Sequence, residues 1–74
     1  MPHVNIKHFA PALDNIKQQE LIDAITQAVT HVTQCDPGVV SITIEPVDQS
    51  LWNDDVFIPE IVNEKKFLCK KPNY

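Results

Sequence analysis

Arginine is absent from this chain: its six basic residues are all lysines, at positions 7, 17, 65, 66, 70 and 71. Recognition by a bidentate guanidinium clamp is therefore excluded, both in one chain and in any assembly of identical chains. Glycine occurs once, at Gly38, against six prolines, which excludes a flexible linker and a collagen-like repeat. No apolar run approaches the roughly 20 residues that a membrane-spanning helix requires, so no membrane partner is expected. Positive charge is scarce as well. The formal charge is -4 and the pI about 5.1, which argues against nucleic acid, since phosphate binding needs a basic face. Only two cysteines occur, Cys35 and Cys69. The start Met1-Pro2-His3-Val4-Asn5 has neither the basic nor the apolar region of a secretory signal. Two free thiols in a cytoplasmic protein are the expectation.

What remains is a chain of 74 residues, 43% hydrophobic, enough for one domain over residues 1–74. Below roughly 70–80 residues a single core supplies only about 3–5 kcal/mol. With one bridge at most, oligomerisation is the expected source of the missing core.

Val4 to Phe9 reads as a strand with Pro2, Val4, Ile6 and His8 on one face and His3, Asn5, Lys7 and Phe9 on the other. Ala10-Pro11-Ala12 breaks it, and Asp14 is positioned to cap a helix N-terminus. From Asn15 to about Gln34, Leu21, Ile22, Ile25, Ala28, Val29 and Val32 recur at helical spacing and predict one amphipathic helix. Asp36-Pro37-Gly38 stops it. Val39 to Glu45 is dominated by β-branched residues and predicts a second strand, which Pro46 ends or confines to an edge. A helix of this length carries the chain back across the sheet, so the strands are expected to run parallel in a βαβ unit. Pro59 to Cys69 reads as a helix and residues 70–74 as a tail. The fold class is α/β (α+β), a single unit with a C-terminal helical segment. The sheet face opposite the helix is expected to be bare and to meet a second subunit.

Pro2 carries the most chemical information. Methionine before a small residue is commonly removed, which would leave a secondary amine whose lone pair is free to accept a proton. Set against an apolar wall, such an amine can serve as a neutral general base. Other residues have plainer readings. His31 and Cys35 lie four apart on a helix, but two ligands do not make a metal site, so no metal is expected. His3 and His8 fall on opposite faces and read as surface or interface histidines. Asp54-Asp55 and the lysine pairs read as solvated charges. Trp52 reads as a packing residue near a subunit boundary, where an aromatic also walls a pocket.

A Pro2-headed strand, a crossover helix, a second parallel strand and an aromatic soon after it resemble the 4-oxalocrotonate tautomerase family, closest to its small dimeric PptA-type members. The residues that carry the resemblance are Met1 to Lys7, Phe9, Leu13-Asp14, Ile25-Thr26, Ser41-Ile42, Trp52 and Lys70 to Tyr74. The resemblance implies that Pro2 is the catalytic base, that Trp52 is an aromatic pocket wall, and that Phe9 lines the neighbouring subunit's pocket. It also implies subunits joined into a larger sheet as a homodimer. Two arginines that grip substrate carboxylates in the founding enzyme have no counterpart; one aligns in the Pro11–Leu13 turn and the other with Ser41. The implied reaction is a 1,3- or 1,5-proton shift turning an enol or dienol 2-oxo acid into its keto isomer, with no metal or organic cofactor. Without arginine an apolar pocket is expected, suited to an aromatic enol such as that of phenylpyruvate. Phe9, Val40 and Trp52 would hold the substrate, and Ser41 or a backbone N–H would donate to the developing oxygen. The alternatives are a hydratase or dehalogenase on the same scaffold, or a non-catalytic dimeric binding module if Met1 is retained.

Overall fold

The computed structural model describes all 74 residues, Met1–Tyr74. Strand β1 spans His3–Phe9, helix α1 Asn15–Thr33 and strand β2 Ser41–Val47. The strands form one parallel two-stranded sheet, in register from His3 opposite Ser41 to Phe9 opposite Val47. With 19 residues α1 is about 28 Å long, while each seven-residue strand covers about 23 Å. The helix therefore returns the chain to the start of the sheet, and the βαβ unit is the one the sequence predicts.

Asp14 caps α1 as expected, its carboxylate accepting from the Lys17 N–H at 2.8 Å. The end of the helix differs. Gln34 turns left-handed at φ 59°, its N–H donates to Thr30 O at 2.9 Å, and its side-chain amide donates to His31 O at 2.6 Å. The stop therefore precedes Asp36-Pro37-Gly38. An L-residue in this conformation costs about 1–2 kcal/mol, partly offset here by the amide bond. Gln34→Gly is expected to raise unfolding stability by about 0.5–1 kcal/mol, read as an upward shift of the denaturation midpoint.

Strand β2 begins two residues later than the sequence suggested. The Asp36 carboxylate accepts from the Gly38 N–H at 2.7 Å and starts a 3-10 turn over Pro37–Val39, which draws Val39 and Val40 out of the strand. At the other end the strand runs through Pro46. The Ser41 N–H donates to Pro2 O and the Ala10 N–H to Val47 O, so odd-numbered residues of β2 face β1. Pro46 points its missing N–H to the open edge, where nothing is lost.

Val4, Ile6, Ile42 and Ile44 share one sheet face and are half-buried, as are Leu21, Ile22, Ile25 and Val29 of α1. These residues make the helix–sheet layer. Val32, expected on the same stripe, is 78% exposed, and Ala28 is exposed too. The two buried residues, Val47 and Val56, lie instead on the far side of the sheet under the C-terminal segment. That face is not bare along its length. Phe9 packs edge-on against Trp52, and Lys7 forms an ion pair with Glu60, while His3, Asn5, Ser41 and Thr43 remain exposed.

The predicted helix from Pro59 to Cys69 is replaced by a π-helix over Asn53–Val62 and a 3-10 turn over Lys65–Phe67. Pro59 sits inside the π-helix rather than at a helix start. In an α-helix its ring would press on the carbonyl four residues back. The segment is wound instead as a wider π-helix, with the Asn63 N–H donating to Ile58 O at 3.0 Å. No helix is long and apolar enough to cross a membrane.

Candidate functional site

Both parallel strands begin at the same end of the sheet, and this end gathers three of the five residues singled out in the sequence. Pro2, half-buried, precedes β1 and accepts the Ser41 N–H at 3.2 Å through its carbonyl oxygen. Val40 is half-buried directly before Ser41, held by its own N–H donating to Pro37 O at 3.3 Å. The register places Ser41 opposite His3. His3 Nδ1 and Ser41 Oγ are 2.7 Å apart, a side-chain hydrogen bond across the strands. Met1 is fully exposed, which leaves the Met1–Pro2 junction open to processing.

Phe9 and Trp52 lie at the opposite end of the sheet. Six residues along an extended strand separate His3 from Phe9, about 20 Å. The rings of Phe9 and Trp52 meet edge to face at 4.9 Å between centroids. Trp52 is fixed from two sides. Its indole N–H donates to the Tyr74 hydroxyl at 3.1 Å, and Tyr74 leans on Phe57 at 5.8 Å. Before it, the Asp48 carboxylate accepts from the Ser50 hydroxyl at 2.7 Å and the Ser50 N–H at 2.9 Å, closing the turn that leads to Trp52. These two bonds, the hydroxyl first, hold the Asp48 carboxyl below its usual range. A single chain thus brings Pro2, Val40 and Ser41 together, and separately Phe9 and Trp52, but does not join the two groups.

The main concavity lies elsewhere, on the outer flank of α1 near its C-terminal end, lined by Ala24, Gln27, Ala28, His31, Gln34 and Cys35. None of the five residues borders it. His31 and Cys35 gather no third ligand, and no group of three metal-binding side chains occurs in the chain. His8 sits at the far end of β1 with Nδ1 donating to Phe9 O at 2.9 Å, and its Nε2 is buried without a partner. The ammonium of Lys7 is held above its usual range, chiefly by its hydrogen bond to Glu60 and, more weakly, by the charges of Glu60, Glu45 and Asp55.

Sequence reading missed the His3–Ser41 pair and the Tyr74 anchor. The first has a sequence signal in principle: both residues stand at the head of a strand, on the same pleat face once the register is known. The second has none, because nothing in residues 70–74 specifies that the tail folds back onto Trp52.

No protein-family model matches the chain. Its curated relatives are nonetheless consistent. The chain is 32% identical over all 74 residues to Tautomerase PptA of Cronobacter sakazakii, covering 97% of that protein. It is 31% identical over 74 residues to a probable tautomerase of Xylella fastidiosa, covering 89% of it. To Tautomerase PptA of Escherichia coli it is 28% identical over 74 residues, with 97% covered. A parallel βαβ unit headed by proline, matched end to end by these relatives, defines a tautomerase, an enzyme of the isomerase class. The chain belongs to the 4-oxalocrotonate tautomerase family and to its PptA-type branch.

Proposed function

We propose that the chain is a cofactor-independent keto–enol tautomerase in which the freed Pro2 nitrogen is the general base. Its substrate is an enol 2-oxo acid with an aromatic side chain, such as phenylenolpyruvate. Pro2 takes the enol hydroxyl proton as the C–O double bond forms. The same proton is then delivered to the adjacent carbon, so the O–H bond lost is balanced by the C–H bond gained. Ser41 donates to the developing carbonyl oxygen, and Val40 gives an apolar wall beside Pro2.

Phe9 and Trp52 lie too far from Pro2 in their own chain to touch the same small molecule. They serve instead the pocket of a partner in a homodimer, each site being completed across the subunit boundary and the sheets joining into one. Residues 1–74 act as one tautomerase domain, in the cytoplasm. The observation that carries this reading is Pro2 at the head of β1, bonded through its carbonyl to Ser41, in a chain aligned end to end with named tautomerases.

The test is ketonisation of phenylenolpyruvate by protein whose mass shows loss of one methionine. The expected result is catalysis above the buffer rate and a higher kcat/KM for this aromatic monoacid than for a dienol diacid. Preference for the diacid would contradict the substrate assignment.

A further inference from the structure

We propose that His3 is the carboxylate-recognition residue of this site, acting as a cation with Ser41 as its coupled donor. The inference rests on the tautomerase reading for its substrate, a 2-oxo acid with one carboxylate. An anion of that kind needs a positive partner, and arginine is absent.

Lys7 and Lys17 are placed away from the Pro2 end within the chain. Lys7 is paired with Glu60, and Lys17 lies in the first turn of α1, which follows the far end of β1. Lys65, Lys66, Lys70 and Lys71 belong to the C-terminal segment. Lys66 lies over the Phe67 ring at 5.1 Å, and the segment ends in Tyr74 bonded to Trp52. Of the other histidines, His8 sits at the Phe9 end and His31 lines the groove on the outer flank of α1. His3 is the ionisable side chain that directly follows Pro2, and it is exposed.

Its bond to Ser41 gives this position a specific logic. Neutral imidazole has one N–H, so Nδ1 can either donate to Ser41 Oγ or accept from it. Imidazolium carries a proton on both nitrogens, so Nδ1 must donate. The Ser41 hydroxyl proton is then released to point at a substrate oxygen. A bound carboxylate favours the imidazolium by its charge. Protonation, substrate charge and the Ser41 donor are therefore coupled in one pair. The neighbours of His3 along and across the strands are Pro2, Asn5, Ser41 and Thr43. Of these only the freed Pro2 amine titrates, and in its basic form it is neutral and leaves the imidazolium unopposed.

The experiment compares processed wild-type protein with His3→Gln and His3→Lys. Two substrates are used, phenylenolpyruvate and its methyl ester, and binding of 3-phenylpropionate is measured by calorimetry between pH 5.5 and 8, the range in which imidazoles change charge. His3→Gln is expected to raise KM for the acid about tenfold at pH 6 without raising KM for the ester, while any fall in kcat through the Ser41 donor is shared by both substrates. His3→Lys is expected to keep the low KM and to lose the pH dependence. Wild-type affinity for 3-phenylpropionate is expected to fall about tenfold from pH 5.5 to 8, and the His3→Gln affinity to stay flat. Equal effects on KM for acid and ester, or 3-phenylpropionate binding that is absent or the same in both proteins, would overturn the assignment. If wild-type protein turns over neither substrate, the assignment of an aromatic enol 2-oxo acid fails, and the calorimetry still decides whether His3 holds a carboxylate.

Discussion

Pro2→Ala is expected to lower phenylenolpyruvate ketonisation by about 10²-fold or more, with the fold intact. The structural part of Pro2 is played by its carbonyl oxygen, which accepts the Ser41 N–H at 3.2 Å, and alanine supplies the same group. What alanine removes is the secondary amine. Retained methionine should have the same effect by another route, since it makes the Pro2 nitrogen a tertiary amide with no basic lone pair. Because Met1 is fully exposed and packs on nothing, its retention should leave stability unchanged while abolishing turnover. Circular dichroism and denaturation midpoints control for folding in both proteins. Equal background rates in wild-type and Pro2→Ala protein would remove the case for a catalytic proline and favour a binding module.

Dilution is expected to unfold the protein. Two of 74 residues are buried in the isolated chain, while Ile16, Val32 and Phe67 are each more than 70% exposed. A core of that size is too small to offset the conformational entropy of ordering the chain, so the folded state is expected to depend on association. For a dimer that folds as it associates, each tenfold dilution removes about 1.4 kcal/mol of stability. Urea midpoints at 1, 10 and 100 μM should therefore move in regular steps, and light scattering should give twice 8.4 kDa at the highest concentration. Coincident midpoints would show that one chain is stable alone, and the proposed completion of each pocket by a partner would lose its support. The same association would place the Phe9–Trp52 wall of one chain beside Pro2 of another, so turnover should fall in parallel with the dimer fraction.

The elements that depend on local chemistry were readable in the sequence. The β1 alternation, the Asp14 cap, the periodicity of α1 and the parallel βαβ order all follow from neighbouring residues and chain length. Boundaries were less legible where two local signals compete. Val39 and Val40 have strand propensity, but the Asx turn at Asp36 and the φ of Pro37 claim them first. Pro46 reads as a terminator until register shows that its missing N–H faces the open edge. Pro59 suits a helix start in an α-helix, whereas here it lies inside a π-helix.

By itself the sequence determined the fold class, the position of Pro2 at the head of a strand, and the absence of any guanidinium to bind a carboxylate. These are properties of single residues or of short periodic windows. Tertiary structure decided which side chains meet: His3 with Ser41, Phe9 with Trp52, and Trp52 with Tyr74. Each pair is separated by tens of residues, and its contact is set by strand register and by the path of the C-terminal segment. No local propensity encodes that geometry. The missing arginines are visible in the composition, whereas the histidine positioned to replace them emerges only when parallel pairing brings residue 3 across from residue 41.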